Sequence, residues 1–303
     1  MQHEMNQFDF VFLSYDEPNA EELYANLLNQ VPWAKRVHGV KGFDAAHRAC
    51  ADVADTDFFV TVDGDNRMDP AFLDAKINIA EGQDDHAWTW AGRNAVNGLV
   101  YGNGGLKLWS KQFVRSMNSH ENSDDDASKV DFCWNPKYHE VFGTYSNSEI
   151  NGSPYQAFRA GYREGVKMSL DSGRKMTPKE FIRRIWIYNL HKLMIWCSVG
   201  AHVDNGIWSV YGARMGAHDV NLTDFDHTEI RDYDWFADKW QQVKDNDPVT
   251  HGVELGELLR RGLNIDISDL DAQQSKFFKT IYINPPRPLI GLDQIRHLSS
   301  GHV

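Results

Sequence analysis

The sequence has few cysteines, no long uncharged apolar run and no excess of positive charge. Its three cysteines are far apart in the chain, which excludes a disulfide framework and a Cys-x-x-Cys metal site; they are Cys50, Cys133 and Cys197. The most apolar stretch, residues 182–201, includes two arginines, a histidine and a lysine, so it is too charged to span a bilayer. We therefore expect no membrane insertion.

The first seven residues are polar and do not resemble a signal peptide. Free cysteines without a pairing pattern are typical of a reducing compartment. These two observations together predict a cytoplasmic location.

Charge is unevenly distributed along the chain. The net charge is −12, which argues against a uniformly basic nucleic-acid surface. Residues 159–192, however, contain nine basic and three acidic residues, a local charge of +6, with aromatic residues among them. Basic residues interleaved with aromatic ones suit a polyanion such as nucleic acid. An amphipathic helix with a solvated basic face is the alternative.

The order of elements predicts an α/β fold. Aromatic and β-branched runs predict strands at 8–13, 37–40 and 57–62, and apolar periodicity predicts helices at 20–29 and 45–53. Strand and helix alternate, which is typical of a parallel sheet flanked by helices. In such sheets ligands bind at the carboxyl ends of the strands.

The motif Asp63-Gly64-Asp65 follows the third predicted strand. Gly64 permits a tight turn, so both carboxylates can face one point, where they suit Mg²⁺ or Mn²⁺ carrying a diphosphate. A turn with two solvated aspartates is the alternative. An EF-hand loop is excluded because Met68 stands where that loop needs glycine, and an Asp-x-Asp-x-Thr phosphatase is excluded because Arg67 replaces its threonine.

Local signals predict several further segments. We expect a helix from Pro70 to Ala80, a glycine-rich segment at 103–105 beside a strand, and a surface loop at 116–129 that contains Asp124–Asp126. Ser153 and Thr177 are predicted N-caps of two helices, the second extending to Trp196. Residues 200–206 break that helix, a helix is predicted at 253–263, and an extended tail at 281–289.

The first two hundred or so residues resemble a GT-A glycosyltransferase. The resemblance rests on the loop after the first strand, on the block Gly42–Arg48 and on the Asp63–Asp65 motif. It implies a Rossmann-like, mixed but mostly parallel sheet flanked by helices, with a helical C-terminal extension. The implied division is 1–215 for the enzyme domain, with a donor half to about 110 and an acceptor half after it, and 216–303 for the extension.

The resemblance also implies the site. The metal would be Mn²⁺ or Mg²⁺ and the donor a UDP-sugar. The donor-binding residues would be Ser14, Tyr15, Asp16, Glu17, Lys41, His47, Asp63, Gly64, Asp65, Asn103, Gly104 and Gly105. Asp63 and Asp65 would hold the metal, with a histidine as third ligand; His218 is ranked above His202 and His227. Glu149 and Asp204 are the candidate catalytic carboxylates, although an enzyme that retains configuration would need no such base.

Three segments carry a narrower resemblance: 42–65, 101–109 and the helix at 159–167, whose Arg159, Arg163 and Lys167 are spaced four residues apart as one basic stripe. In these segments the chain resembles, among GT-A enzymes, phage-type glycosyltransferases of hydroxymethylated pyrimidines in DNA and their base J glucosyltransferase relatives. This implies a DNA acceptor and, for a phage protein, the host cytoplasm. The predicted DNA contacts are Arg159, Arg163, Lys167, Arg174, Lys175, Arg183 and Arg184. Two alternatives stay open: transfer to a surface polysaccharide or lipid-linked glycan, and a module that binds a nucleotide or polyanion without turnover.

Overall fold

The computed structural model describes residues 2–119, 122 and 135–283, without the side chains of Asn103 and Tyr282. Asp124–Asp126, Cys133 and most of the predicted tail at 281–289 lie outside these residues, and so does the side chain of Asn103.

A seven-stranded mixed sheet forms the centre of the fold, in the order β3-β2-β4-β8-β7-β9-β5. A separate two-stranded sheet pairs β1 with β6. The strands are β1 (Gln2–Glu4), β2 (Asp9–Ser14), β3 (Lys35–His38), β4 (Phe58–Asp63), β5 (Asn66–Met68), β6 (Lys76–Asn78), β7 (Ala87–Asn94), β8 (Val100–Ser110) and β9 (Tyr138–Ser148).

The sheet confirms the mixed α/β class but not the mostly parallel arrangement. Three neighbouring pairs are parallel (β2–β3, β2–β4 and β7–β9) and three are antiparallel (β4–β8, β7–β8 and β5–β9). β8 is antiparallel to β7 because the connection between these two strands is short. In this connection Asn94 accepts a hydrogen bond from the Val96 amide at 2.8 Å, and Gly98 has a φ of 81°. A turn this tight returns the chain beside the strand it has left.

Helices cover both faces of the sheet and form a second layer after β9. They are α1 (Ala20–Gln30), α2 (Phe43–Val53), α3 (Lys111–Ser116), α4 (Pro154–Lys167), α5 (Pro178–Arg184), α6 (Ile187–Trp196), α7 (Gly206–Leu222), α8 (Tyr233–Val243), α9 (Pro248–Leu263) and α10 (Ala272–Phe277). Short 3₁₀ turns occur at Met5–Gln7, Pro70–Asp74 and His227–Arg231, and Phe278–Ile283 is a π-helical turn.

Alternating side chains of β2 and β4 supply the two cores of the sheet. Phe10 and Phe12 pack with Leu23 and Leu27 of α1 on one face. On the opposite face, Val11 and Phe59 belong to a cluster that also contains Cys50 and Phe113, from α2 and α3. Successive side chains of a strand point to opposite faces, so an almost continuous apolar run fits a strand that is covered on both sides.

The helical layer is organised by α4 and α7, which lie in parallel and in close contact. A Cβ on Gly161 would lie 2.8 Å from the Ser209 carbonyl carbon, and one on Gly165 would lie 2.9 Å from that of Ala213. From the other helix of the pair, Gly212 and Gly216 of α7 approach the carbonyl groups of Phe158 and Tyr162 of α4 in the same way. Glycine is the residue that allows two helix backbones to approach this closely.

Several predicted boundaries are wrong. The predicted helix from Pro70 to Ala80 is only a 3₁₀ turn, because residues 76–78 instead pair with β1. The helix predicted from Thr177 to Trp196 has the expected capping box but ends at Arg184, and a new helix begins at Ile187.

Candidate functional site

The order of the strands marks a crevice at the carboxyl ends of β2 and β4. From β2 the chain passes through α1 to β3 on one side, and from β3 it passes through α2 to β4 on the other side of β2. The crevice where such a sheet changes direction is the usual ligand site of open α/β folds. Ser14 ends β2 and Asp63 ends β4, so the loop 15–19 and the turn Gly64–Asp65, both predicted to bind the donor, begin at this point.

The two loops are in direct contact. A Cβ on Gly64 would lie 2.6 Å from Oε2 of Glu17 and 2.9 Å from Cβ of Ser14, so any other residue there would displace these side chains. The same Glu17 oxygen accepts a hydrogen bond from the Tyr15 amide at 2.7 Å. The structure therefore brings Ser14, Glu17 and the Asp63–Asp65 turn together, as the sequence predicts.

Asp63 forms an ion pair with a nearly buried lysine. Nζ of Lys107 lies 2.7 Å from Oδ2 of Asp63, and the lysine side chain is 8% exposed. In the antiparallel pairing of β4 with β8, Lys107 lies opposite Thr61. Thr61 is two residues before Asp63, the last residue of β4, so Lys107 lies near that end of the strand. Lys107 is a site residue that was not predicted from the sequence. The available signal was a single cation in the otherwise apolar segment Leu106–Trp109.

Asp65 is held by a neighbouring asparagine. Nδ2 of Asn66 donates to Oδ1 of Asp65 at 2.6 Å, and Oδ1 of Asn66 accepts from the Ser148 hydroxyl at 2.9 Å. Gly105 leaves the space that the Asn66 amide occupies, since a Cβ there would overlap that amide. Gly105 thus acts on Asp65 through Asn66. Gly104 instead contacts the backbone of β7, between Trp90 and Gly92.

The electrostatics around Asp65 favour a cation. Burial raises the pKa of Asp65, and so do the nearby carboxylates of Asp63 and Glu17. Together they bring it to about 6. The charges of Asp63 and Glu17 place Asp65 in a negative potential that a bound cation would offset. The donor set is all oxygen, which suits Mg²⁺ or Mn²⁺.

Arg159 extends from α4 into the same region. Its Nη1 lies 3.8 Å from Oδ1 of Asp16, and its guanidinium carbon lies 4.5 Å from the centre of the Tyr233 ring. The side chain is 13% exposed, and its buried Nη1 has no hydrogen-bond partner among the residues that the structure describes. Burial lowers the pKa of Arg159, but the charge of groups including Asp16 and Asp65 outweighs this and raises it. A buried cation with an unused donor can receive an anionic ligand group.

Lys41 and His47 differ in their relation to the crevice. Lys41 is exposed and pairs with Asp234 at 2.7 Å. His47 is buried, its Nδ1 lies 2.9 Å from the Phe43 carbonyl, and burial lowers its pKa to about 4. His47 is therefore neutral at pH 7 and packs edge-on against Trp109, beneath the site.

Glu149 reaches the site with its backbone. Its amide donates to the Asp65 carbonyl at 2.7 Å, and its carbonyl accepts from Nδ2 of Asn19 at 2.9 Å. The Glu149 carboxylate is bound by Nε and Nη2 of Arg67 at 2.6 and 3.2 Å. To serve as a base, this carboxylate would have to release Arg67. Asp204 is exposed in the loop before α7, where its carbonyl accepts from Asn151 at 2.8 Å.

The three candidate histidine ligands have other local partners. His218 lies 3.0 Å from Asp219, His202 lies 2.9 Å from the Ser275 hydroxyl, and Nε2 of His227 lies 3.0 Å from the Gly173 carbonyl. Within residues 2–119, 122 and 135–283, no group of three His, Cys, Asp or Glu side chains is placed to hold a metal. Of the candidate ligands, Asp63 and Asp65 are thus the two that lie together at the crevice.

The basic residues of α4 contact the protein itself. Arg159 faces Asp16, Arg163 donates to the Ile230 carbonyl, and Lys167 lies 3.7 Å from Glu164. Their even spacing therefore does not produce a solvent-facing stripe. Of the other predicted DNA contacts, Arg174, Lys175, Arg183 and Arg184 are exposed.

Neither a protein-family model nor a curated protein sequence matches the chain. Across the part of the chain that the structure describes, no helix has the length and apolar character needed to cross a bilayer.

Proposed function

We propose that the chain is a metal-dependent glycosyltransferase that moves a sugar from a UDP-sugar to a hydroxyl acceptor. The observation that carries this proposal is the Asp63–Asp65 turn at the switch point of the sheet, in contact with Glu17 and close to Arg159. A crevice with paired carboxylates on one side and an incompletely bonded arginine on the other suits a ligand that combines a cation with a diphosphate.

The residues of the crevice have distinct tasks in this proposal. Asp65, oriented by Asn66, holds Mg²⁺ or Mn²⁺. Asp63, oriented by Lys107, keeps one carboxylate oxygen for the metal or for a ribose hydroxyl. Arg159 binds the diphosphate. When bound, the metal neutralises the charge that develops on the departing diphosphate.

The chemistry is a substitution at the anomeric carbon. The acceptor oxygen forms a bond to that carbon, the bond from the carbon to the diphosphate oxygen breaks, and UDP leaves with the bonding electrons. The acceptor proton passes to a carboxylate or to the leaving phosphate. Glu149 is a base only if the bound substrate displaces Arg67, so a reaction that uses the diphosphate as proton acceptor is consistent with the observed ion pair.

The acceptor we propose is a hydroxymethylated pyrimidine in DNA. The resemblance to phage-type DNA glycosyltransferases supports it, together with the exposed arginines at 174, 183 and 184. A surface polysaccharide or lipid-linked glycan is the second candidate acceptor. The bound Glu149 carboxylate favours a third possibility, a module that binds nucleotide without turnover.

A thermal-shift panel of nucleoside diphosphates and their sugars, each with and without Mn²⁺, tests the donor site. At ~100 times its dissociation constant a ligand adds about 2.7 kcal/mol, which raises the Tm by about 5 °C. We expect a metal-dependent shift with uridine compounds in the wild type and none in Asp65→Asn.

The matched control is Asp52→Asn, because Asp52 is exposed on α2. It should retain the full shift. A second assay follows transfer of labelled sugar to hydroxymethylated DNA and to a glycan. A shift without transfer to any acceptor would favour the binding module, and transfer by Asp65→Asn would refute the proposed metal site.

A further inference from the structure

A large apolar surface is exposed where α5 meets α6. Its four members are 47–64% exposed within seven residues of sequence; they are Ile182, Trp186, Ile187 and Tyr188, here called the α5–α6 patch. Contiguous exposed apolar surface of this kind is typical of an interaction site. None of the residues assigned to the donor site belongs to it.

The patch is held firmly by the residues behind it. Phe181 and Ile185 are buried in the core of the helical layer, so the outward face between them is fixed. Thr177 and Glu180 cap α5 in a capping box. The rings of Trp186 and Tyr188 contact each other edge-to-face, with centroids 5.0 Å apart. A rigid platform of this kind binds a flat partner at little cost in conformational entropy.

The surroundings of the patch are positively charged. Residues 174–192 contain six basic residues and one acidic residue, in a chain whose net charge is −12. Glu180, and Asp171 just before this segment, are both paired with Arg184, at 3.2 and 2.6 Å, so the other cations of the segment outnumber the carboxylates around the patch. Nζ of Lys192 lies 5.7 Å from the centre of the Trp186 ring and 4.6 Å from that of Tyr101.

The patch is connected to the donor site by one strand. Tyr101, under Lys192, lies near the start of β8, and Lys107, which binds Asp63, lies six residues further along it. At about 3.4 Å per residue, this separation is roughly 20 Å. A flexible polymer on the patch can therefore reach the Asp63–Asp65 turn.

We propose that the α5–α6 patch binds a single-stranded or unpaired segment of nucleic acid. Bases stack on Trp186 and Tyr188, and phosphates lie against Lys179 and Arg183. Stacking on aromatic side chains beside cations is how proteins hold single strands. A second copy fits less well, because a two-fold interface would place two positive surfaces against each other. The role of the nucleic acid as the sugar acceptor rests on the proposed function. Its binding to the α5–α6 patch does not.

Fluorescence anisotropy with a labelled single-stranded DNA of about 20 nucleotides tests the proposal. The double variant Trp186→Ala/Tyr188→Ala should bind about 10- to 100-fold more weakly than the wild type. Lys179→Gln/Arg183→Gln should lower the slope of log affinity against log salt by about 1 to 2. Trp33→Ala removes a tryptophan that is 47% exposed elsewhere, and it should bind as the wild type does.

Equal DNA affinity of the wild type and the Trp186→Ala/Tyr188→Ala variant would overturn the proposal, and so would failure of the wild type to bind DNA. Two further measurements identify other occupants. Patch-dependent binding to phosphatidylserine vesicles without DNA binding, or a dimer in sedimentation that the double variant dissociates, would equally overturn it. The Mn²⁺–UDP thermal shift, measured on the same proteins, reports the donor site separately. Loss of that shift with retained patch-dependent DNA binding would refute the glycosyltransferase and leave this proposal standing.

Discussion

Glycines make close contacts in both the sheet and the helical layer, but with different neighbours. Gly161 and Gly165 of α4 face backbone carbonyl groups of α7, and those groups cannot move without moving the helix. Gly64 and Gly105 at the crevice face the side chains of Glu17 and Asn66. In the helical layer, glycine sets the distance between two helices. At the crevice, it leaves space for the side chains that orient the site.

This difference predicts that stability and activity respond to substitution in separate places. A side chain added to a glycine between α4 and α7 has no space, because the neighbouring atoms belong to a helix backbone that cannot move aside. A side chain added to a glycine at the crevice displaces a neighbouring side chain, and that neighbour can adopt another rotamer while the sheet stays intact. Four substitutions, from the largest expected effect to the smallest, test this separation.

Gly161→Val should have the largest effect. The added side chain meets the Ser209 carbonyl group in the buried contact of α4 with α7, and we expect a loss of about 3 kcal/mol or more, measured by urea unfolding. The control is Gly252→Ala in α9, where an added Cβ meets no atom within 4 Å. That change should stabilise the protein by about 0.5–1 kcal/mol through helix propensity. Similar losses in both variants would show that the close helix contact is not the cause.

Asp65→Asn should stabilise the protein without metal. Because the folded-state pKa of Asp65 is about 6 and the ordinary value is 3.8, the folded state binds a proton more readily than the unfolded state. This group's contribution to stability is therefore lost as pH rises from about 4 to 6. The variant should match the wild type near pH 4 and exceed it at pH 7 by on the order of 2 kcal/mol.

Thermal unfolding across this pH range measures the difference. Adding Mn²⁺ should reverse it at pH 7, because only the wild type gains binding energy from the cation. A difference that is constant with pH would mean that folding does not raise the pKa of the Asp65 carboxylate.

Local pattern was enough to predict the crevice. The apolar runs of β2 and β4 and the helix between β2 and β3 lie within about a residue of their predicted positions, since each is marked by its own composition and periodicity. Parallel pairing of β2 with β4 then brings their carboxyl ends together. Ser14, Glu17 and Asp63–Asp65 meet there because loop position follows directly from sheet topology.

Contacts between distant segments could not be predicted in this way. Lys107 reaches Asp63 through the antiparallel register of β8 with β4, which no local pattern contains. Gly212 and Gly216 lie within α7 because the backbone of α4 supplies the surface against which they pack, and this contact is equally absent from the local sequence. The spacing of Arg159, Arg163 and Lys167 predicted a shared helix face correctly, but not that each residue would find a partner within the protein.

Gly105→Ala should damage the site more than the fold. The new methyl group would displace the Asn66 amide, which holds Asp65, and we expect metal-dependent UDP binding to weaken about tenfold. The stability cost should be about 1–2 kcal/mol, less than at Gly161. Ser148→Ala removes the other support of Asn66 without crowding it and should act in the same direction.

Calorimetric titration of UDP and Mn²⁺ separates the two effects. Ser116→Ala is the control, since the hydroxyl of Ser116 bonds only to carbonyl groups of its own helix, α3. If Gly105→Ala lowers stability but leaves nucleotide affinity unchanged, Asn66 does not orient Asp65.

Lys41→Met should have the smallest effect on the fold, and it shows whether an exposed residue of the crevice rim binds the donor. The Lys41–Asp234 pair is more than half exposed on both sides, so its loss should leave the Tm nearly unchanged. If Lys41 binds the nucleotide, Lys41→Met should weaken Mn²⁺–UDP binding by about tenfold, because a charge-assisted contact with phosphate is lost. Asp234→Asn breaks the same ion pair from the other side and should leave affinity intact or raise it, since it releases Lys41. Equal losses in the two variants would mean that the ion pair only positions the loop, and Lys41 would then belong to the packing of α8 against the crevice.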